Sequence, residues 1–250
     1  MTVPDLTLRG RLLFVLGLVG LAALNLVHAD LAPGLQPPLP FVGGGPVVAY
    51  VSGALLLFAA LSLLGHDKLV RQGGLAVAFF WVAWILLGHL AQLTDTPADV
   101  VAWVSLSEAA SLAAAAWLMS ASASGGTGDR TRWAVRLIVG VMLVGFGVVH
   151  LTHREAIAGM IPEWMPARDL WPWVTGAANL AAGLAFLSGV MGSLAAVLVG
   201  AMFFSWIFLA HIPRLIADVG SRAEWTGLML NLALIGVVWT AQRVFVRPAH

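Results

Sequence analysis

The chain has no cysteine among its 250 residues, a single tyrosine, and charged side chains at only 10% of positions. The missing thiols exclude disulfides, thiol relays, iron–sulfur clusters and covalently attached haem. The shortage of charge is the stronger constraint. With 60% apolar residues and a mean hydropathy of +0.92, a chain of this size cannot cover itself with a water-compatible surface, so its solvent is largely lipid. Short segments alternating apolar and polar residues, which a membrane β-barrel requires, are absent as well.

What is present is a series of long apolar runs. A helix crossing the hydrocarbon core takes roughly 20 apolar residues. Eight stretches of about that length fall near residues 11–28, 46–64, 74–92, 100–120, 133–151, 171–189, 192–212 and 225–242. The expected fold is therefore all-α: a polytopic membrane protein with eight transmembrane helices. The first run has the basic start and small-residue end of a signal peptide. It also has a full counterpart in the second half, which favours a permanent span.

Thirteen basic residues are distributed unevenly. Arg9, Arg11, Lys68, Arg71, Arg130, Arg132, Arg136, Arg243 and Arg247 fall on one set of alternate connectors. Arg154, Arg168, Arg214 and Arg222 fall on the other, among most of the acids. By the positive-inside rule the first set is cytoplasmic, with both termini. This predicts a protein of the cytoplasmic membrane whose partners are membrane lipid and, if it serves redox chemistry, a redox partner protein. An acidic outer face argues against nucleic acid.

An internal repeat runs through the chain. At an offset of 122 residues His28 falls on His150, Trp84 on Trp206, His89 on His211, Trp103 on Trp225 and Trp117 on Trp239. A slip of one residue then aligns Ser52-Gly53 with Thr175-Gly176. Coincidence in rare residue types is a strong repeat signal. It predicts two parallel, pseudo-symmetric four-helix units, 1–125 and 126–250, joined by the Gly- and Ser-rich stretch 121–130.

The repeat singles out His28, His89, His150 and His211, each predicted at the outer end of an odd-numbered helix. A histidine there caps free carbonyls and complements the helix dipole. Four equivalent imidazoles can equally ligate a metal or haem iron, or hydrogen-bond a quinone. Two sites follow in that case, His28 with His89 and His150 with His211. Glu108 is the one acid deep in a predicted span, which marks it as a functional candidate. With a one-residue slip the repeat places Asn231 opposite Glu108, retaining the polar position without the charge, while Asn25 and Asn179 suit helix–helix hydrogen bonding. Most tryptophans form the usual interfacial belt, but Trp84 and Trp206 lie within spans below a repeated histidine, where they can wall a planar ligand or pack the core. Gly140, Gly145 and Gly147 permit close helix approach. Residues 156–166 have the half-apolar character of an interfacial lid.

The second unit resembles the DoxX-like superfamily of four-helix membrane proteins. The likeness rests on His150 closing its first helix, on Met160-Ile161-Pro162 with Pro166, and on Thr175-Gly176-x-x-Asn179-Leu180-x-x-Gly183 opening the next helix. It covers about residues 131–242 and reaches the first unit only through the repeat. Members often carry an acid where this chain has Asn179. The resemblance implies a compact helical bundle, with some relatives serving a thiosulfate:quinone oxidoreductase and distant ones acting as assembly factors. Residues and resemblance together predict a ligand-binding membrane protein holding a quinone, b-type haem or similar amphipathic molecule in an outward-facing cavity. A non-enzymatic assembly factor or interaction subunit, and a small transporter, are the alternatives.

Overall fold

A computed structural model describes residues 3–245; Arg247, counted above with the basic residues, lies outside them. The described chain is built from helices, with a single isolated bridge, Leu39 to Gly43, in a loop. The helices are α1 (Thr7–His28), α2 (Pro46–Ser62), α3 (Asp67–Trp84), α4 (Leu90–Asp95), α5 (Val100–Ala123), α6 (Asp129–Thr152), α7 (Arg154–Gly159), α8 (Trp171–Ser188), α9 (Gly192–Trp206), α10 (Ile212–Ala217) and α11 (Arg222–Ala241). Local sequence explains many of their ends. Prolines occupy the first turns of α2 and α8, where a missing N–H costs nothing. The Asp99 carboxylate caps α5 through Val101 N, and Ser221 caps α11 through Glu224 N.

Seven helical segments are long and apolar enough to cross a membrane. The remaining apolar helix, α2, has 17 residues, about 25 Å at 1.5 Å per residue. All eight expected runs therefore coincide with helices, but two boundaries differ from expectation. The helices expected over 74–92 and 192–212 run without a break as Asp67–Asp95 and Gly192–Ala217. Each passes through a π-helical turn, Ile85–His89 and Ile207–His211. There Leu90 N–H donates to Ile85 O, and Ile212 N–H to Ile207 O, five residues back instead of four. In the second turn Pro213 has no N–H for the carbonyl four residues earlier, which favours the wider turn. His89 and His211 are consequently not at helix ends. They sit inside continuous helices, where the extra residue of a π-turn rotates them off the regular path.

The two π-turns, α4 and α10, and the starts of α1 and α6 and of α5 and α11, are all separated by the 122 residues of the sequence repeat. Packing follows one circuit. Each long helix touches its neighbour in sequence, α1 lies against α11, and α5 also touches α11. Two five-sided enclosures result. One is formed by α1, α2, α3, α5 and α11, the other by α5, α6, α8, α9 and α11, so α5 and α11 are a wall common to both.

Small residues allow the tightest seams. A Cβ built on Gly236 of α11 would lie 2.4 Å from Phe14 N of α1, and one on Gly183 of α8 would lie 2.9 Å from Gly140 O of α6. Gly147 of α6 is held as closely by α8, whereas Gly145 meets only a Val104 methyl of α5.

Both ends of the described chain, the α2–α3 and α8–α9 turns and the 121–130 link gather on one face. The Gln242 side chain accepts from Leu6 N and donates to Ser193 Oγ, Arg11 donates to the carbonyls of Leu63 and Gly65, Ser120 Oγ donates to Arg71 O, and Arg136 donates to the carbonyls of Phe186 and Leu187. His28, residues 29–45, α4, α7 and α10 occupy the opposite face. There Arg222, opening α11, pairs with the Asp30 carboxylate and donates to Leu31 O at 2.6 Å, fixing the first loop to the second half of the chain.

Candidate functional site

The end of the first enclosure nearest residues 29–45 is filled. The segment after α1 turns inward, burying Leu31, Ala32, Leu35 and Gln36. Gln36 accepts from Asn25 Nδ2 at 2.7 Å and donates to Ser52 Oγ at 2.9 Å. Leu35 O accepts from the Nε2 of His89, which is only 1% exposed. His89 thus secures a loop. His28 lies exposed at the end of α1. Trp84 is buried, stacked on Phe80 at 5.5 Å between centroids, and borders a separate apolar groove between α2 and α3. The expected pairing of His28 with His89 around a ligand is therefore not formed. The 31–36 segment has taken the inner His89 as its partner, while His28, at a helix end, is turned to the exterior.

The second enclosure holds a cavity of about 360 Å³. The repeat partners of Ser52 and His89, namely Thr175 and His211, line it, together with His150, Trp206 and, from the first half of the chain, Glu108. Of the seven residues singled out in the sequence, four (Glu108, His150, Trp206 and His211) are brought to one place, and three (His28, Trp84 and His89) are elsewhere.

The polar groups occur at two depths. Glu108, Asn179 and Asn231 stand eight or nine residues into α5, α8 and α11 from their N-terminal ends, which at 1.5 Å per residue is about 12–14 Å along each helix. Above them stand His150 at the end of α6, His211 in the π-turn, Thr175, and Arg214, which pairs with Glu224 at the mouth. Phe146, Met202, Phe203, Trp206 and Leu230 supply the apolar wall between. Ile157, Met160 and Ile161, in and just after α7, form its lid-side edge, held down where Arg168 donates to Ala158 O.

Hydrogen bonding fixes several of these groups. His150 Nδ1 lies 2.8 Å from Phe146 O, one turn earlier in α6, so the imidazole caps its own helix and still borders the cavity. Capping and a place in the cavity wall coexist in this residue. Asn179 Nδ2 donates to Thr175 O at 2.9 Å within α8, not to a neighbouring helix, and its Oδ1 is buried without a partner. Asn231 Nδ2 donates to Phe203 O of α9 at 2.9 Å, a true interhelical bond. His211 Nδ1 is buried and unpartnered beside Gly227. Glu108 is half-buried, lines the cavity and makes no ion pair among the described residues. Among the described residues no three His, Asp or Glu side chains come together as a metal-ion site, so the four histidines do not assemble into one centre.

Asn179, Asn231, Thr175 and Arg214 complete the site, and none was placed there from sequence. The usable signal was depth: Glu108, Asn179 and Asn231 lie at nearly the same distance from the N-terminal ends of three different helices.

A family described as a domain of unknown function (DUF8561) matches residues 139–242. That stretch includes His150, Asn179, His211, Arg214 and Asn231, but not Glu108. Comparison with curated proteins gives no match, and comparison with solved structures gives none.

Proposed function

We propose that this protein binds a small amphipathic molecule of the quinone type in the second-half cavity, as part of a membrane redox system that includes a redox partner protein. The observation that carries this is the convergence, from five helices, of Glu108, His150, Asn179, His211 and Asn231 on one cavity walled by Phe146, Phe203 and Trp206. Ligand sites are characteristically concave, mostly apolar and furnished with a few fixed polar groups. Isolated polar groups at membrane depth are costly unless they serve a function. A volume of about 360 Å³ is at the small end of the usual ligand range of roughly 300–1,000 Å³. It suits one or two fused rings with polar substituents and an apolar tail better than a haem macrocycle.

The same proposal carries the architecture: eight transmembrane helices as two parallel DoxX-like units, 1–125 and 126–250, in the cytoplasmic membrane with both termini cytoplasmic. The helix boundaries repeating at 122 residues and the basic residues on the terminal face support it.

The test is to purify the unwashed protein, record its absorption spectrum, and identify by mass spectrometry what an organic solvent extracts. The expected result is a quinone-type lipid near one per chain, reduced at least tenfold in E108L and H150A. A haem Soret band, or an extract identical for all three proteins, would overturn the proposal.

A further inference from the structure

The two halves carry one loop in two arrangements. At the 122-residue offset Leu35 falls on Ile157, Leu39 on Ile161 and Pro40 on Pro162, so the repeat continues from the helices into the segment that follows the first helix of each half. In the first half that segment lies inside its enclosure. Leu35 is 1% exposed and its carbonyl accepts from His89 Nε2 at 3.0 Å. A lock of side chains holds it there: Gln36 Oε1 accepts from Asn25 Nδ2 and from Ala32 N, and Gln36 Nε2 donates to Ser52 Oγ. In the second half the segment stands at the rim of the cavity, with Ile157, Met160 and Ile161 along its edge.

The sequence accounts for the difference. Gly147 falls where Asn25 stands and Ala158 where Gln36 stands, so the second half has neither amide of the lock. The receiving side is retained, with Thr175 for Ser52 and, at the end of an equal π-turn, His211 for His89. His211 makes no hydrogen bond among the described residues, and its Nδ1 is buried without a partner. The rim position is held by few bonds, from Arg168 to Ala158 O at 3.2 Å and from Trp171 Nε1 to Pro166 O at 3.1 Å. The segment ends at Ala167, whose φ of 53° is a left-handed conformation that alanine adopts only at a cost.

We infer that residues 153–167 form a lid that exchanges between the rim and the interior of the second-half cavity, with His211 as its latch. In the inner position His211 Nε2 donates to Ile157 O, as His89 Nε2 donates to Leu35 O in the first half. Lid and ligand then compete for one space, and a ligand shifts the lid outward by binding only the open form. The inference is independent of what the ligand is.

The test uses the full chain in lipid nanodiscs with Leu230→Cys in the cavity wall, where no other thiol competes. The rate at which a water-soluble methanethiosulfonate reagent modifies this cysteine reads the open lid. A158Q, which returns the missing lock residue, should slow it at least tenfold; A158M, of similar bulk without the amide, should not; and H211L added to A158Q should restore the rate. Spin labels on cysteines at Gly126 and Gly159, where a Cβ meets nothing within 4 Å, give a measurement that does not need A158Q. They should show two distances, the shorter of which H211L removes. An A158Q rate equal to the parent's, a slowing shared by A158M or unrelieved by H211L, or a single distance that H211L leaves unchanged would overturn the lid and leave the ligand proposal standing.

Discussion

Replacing Asn179 by leucine separates stability from binding in a way that depends on the geometry of one amide. In the folded protein Asn179 is 1% exposed, donates a single bond to Thr175 O in its own helix, and buries Oδ1 without a partner. Leucine has the same number and branching of side-chain heavy atoms and no polar atom. The lost bond is worth about 0.6 kcal/mol on average for side chains in membrane proteins, and at most about 1.7. The relieved acceptor is worth about 1–3 kcal/mol. Thr175 O keeps the regular backbone bonding of α8, so its loss of the amide is small. The balance for ligand-free N179L therefore lies between about 0.7 kcal/mol less stable and about 2.4 kcal/mol more stable. Reversible unfolding of delipidated protein in mixed micelles measures it, and ligand binding by the same variant should fall at least tenfold. Had the amide been an interhelical bond, as the sequence suggested, the variant would be less stable. A loss exceeding 1 kcal/mol with unchanged binding refutes the assignment of Asn179 to the site.

Three further outcomes are expected. Gly236→Leu drives a side chain into the α1 backbone at Phe14, where even a Cβ would approach within 2.4 Å; overpacking of this kind costs typically 1–3 kcal/mol or more, read as a lowered midpoint of unfolding, whereas Gly126→Ala, with nothing within 4 Å, should be near neutral. A cysteine placed at Gly126 has no background thiols to compete with and should resist an impermeant reagent in intact cells; labelling there reverses the orientation. Just before α1, the Asp5 carboxylate accepts from Thr7 N and Thr7 Oγ1, which holds its pKa below the ordinary 3.8. A depressed carboxylate pKa contributes stability that is complete above the ordinary value and disappears as pH falls through the lowered one. The protection of amides 7–10, taken as their exchange relative to that of an unstructured chain at the same pH, should accordingly fall at acid pH in the native protein and show no such step in D5A.

Apolar run length carried most of the fold, because lipid imposes it on any helical chain that spans a membrane. The repeat predicted more than helix order, since it foreshadowed two π-turns. It could not reveal them, because a π-turn adds no residue type, only a residue to the turn. The site was half legible. Glu108 stood out by its charge, and His150, His211 and Trp206 by repetition. The same repetition misdirected attention to His28 and His89. Equal spacing cannot show that Gln36 and Leu35, in a loop of different length from its counterpart, occupy the partners that the second enclosure leaves free. Asn179 and Arg214 were missed because a lone amide or a loop cation has no distinguishing pattern in one sequence.

The wall common to both enclosures has a further consequence. Two separate four-helix chains meeting through their first and last helices would have to place the same residues in each chamber, so any substitution that filled one would fill the other. Joining the copies through residues 121–130 removes that constraint. One half of a linked pair can become a rigid buttress, its pocket stopped by its own loop, while lending a carboxylate across the seam to the half that stays hollow. Expressed alone, residues 126–250 would keep most of the cavity's lining and lose Glu108 with an entire side of the chamber. Co-expression of the two fragments, divided near Gly126, is then the condition under which the hollow half regains its missing wall.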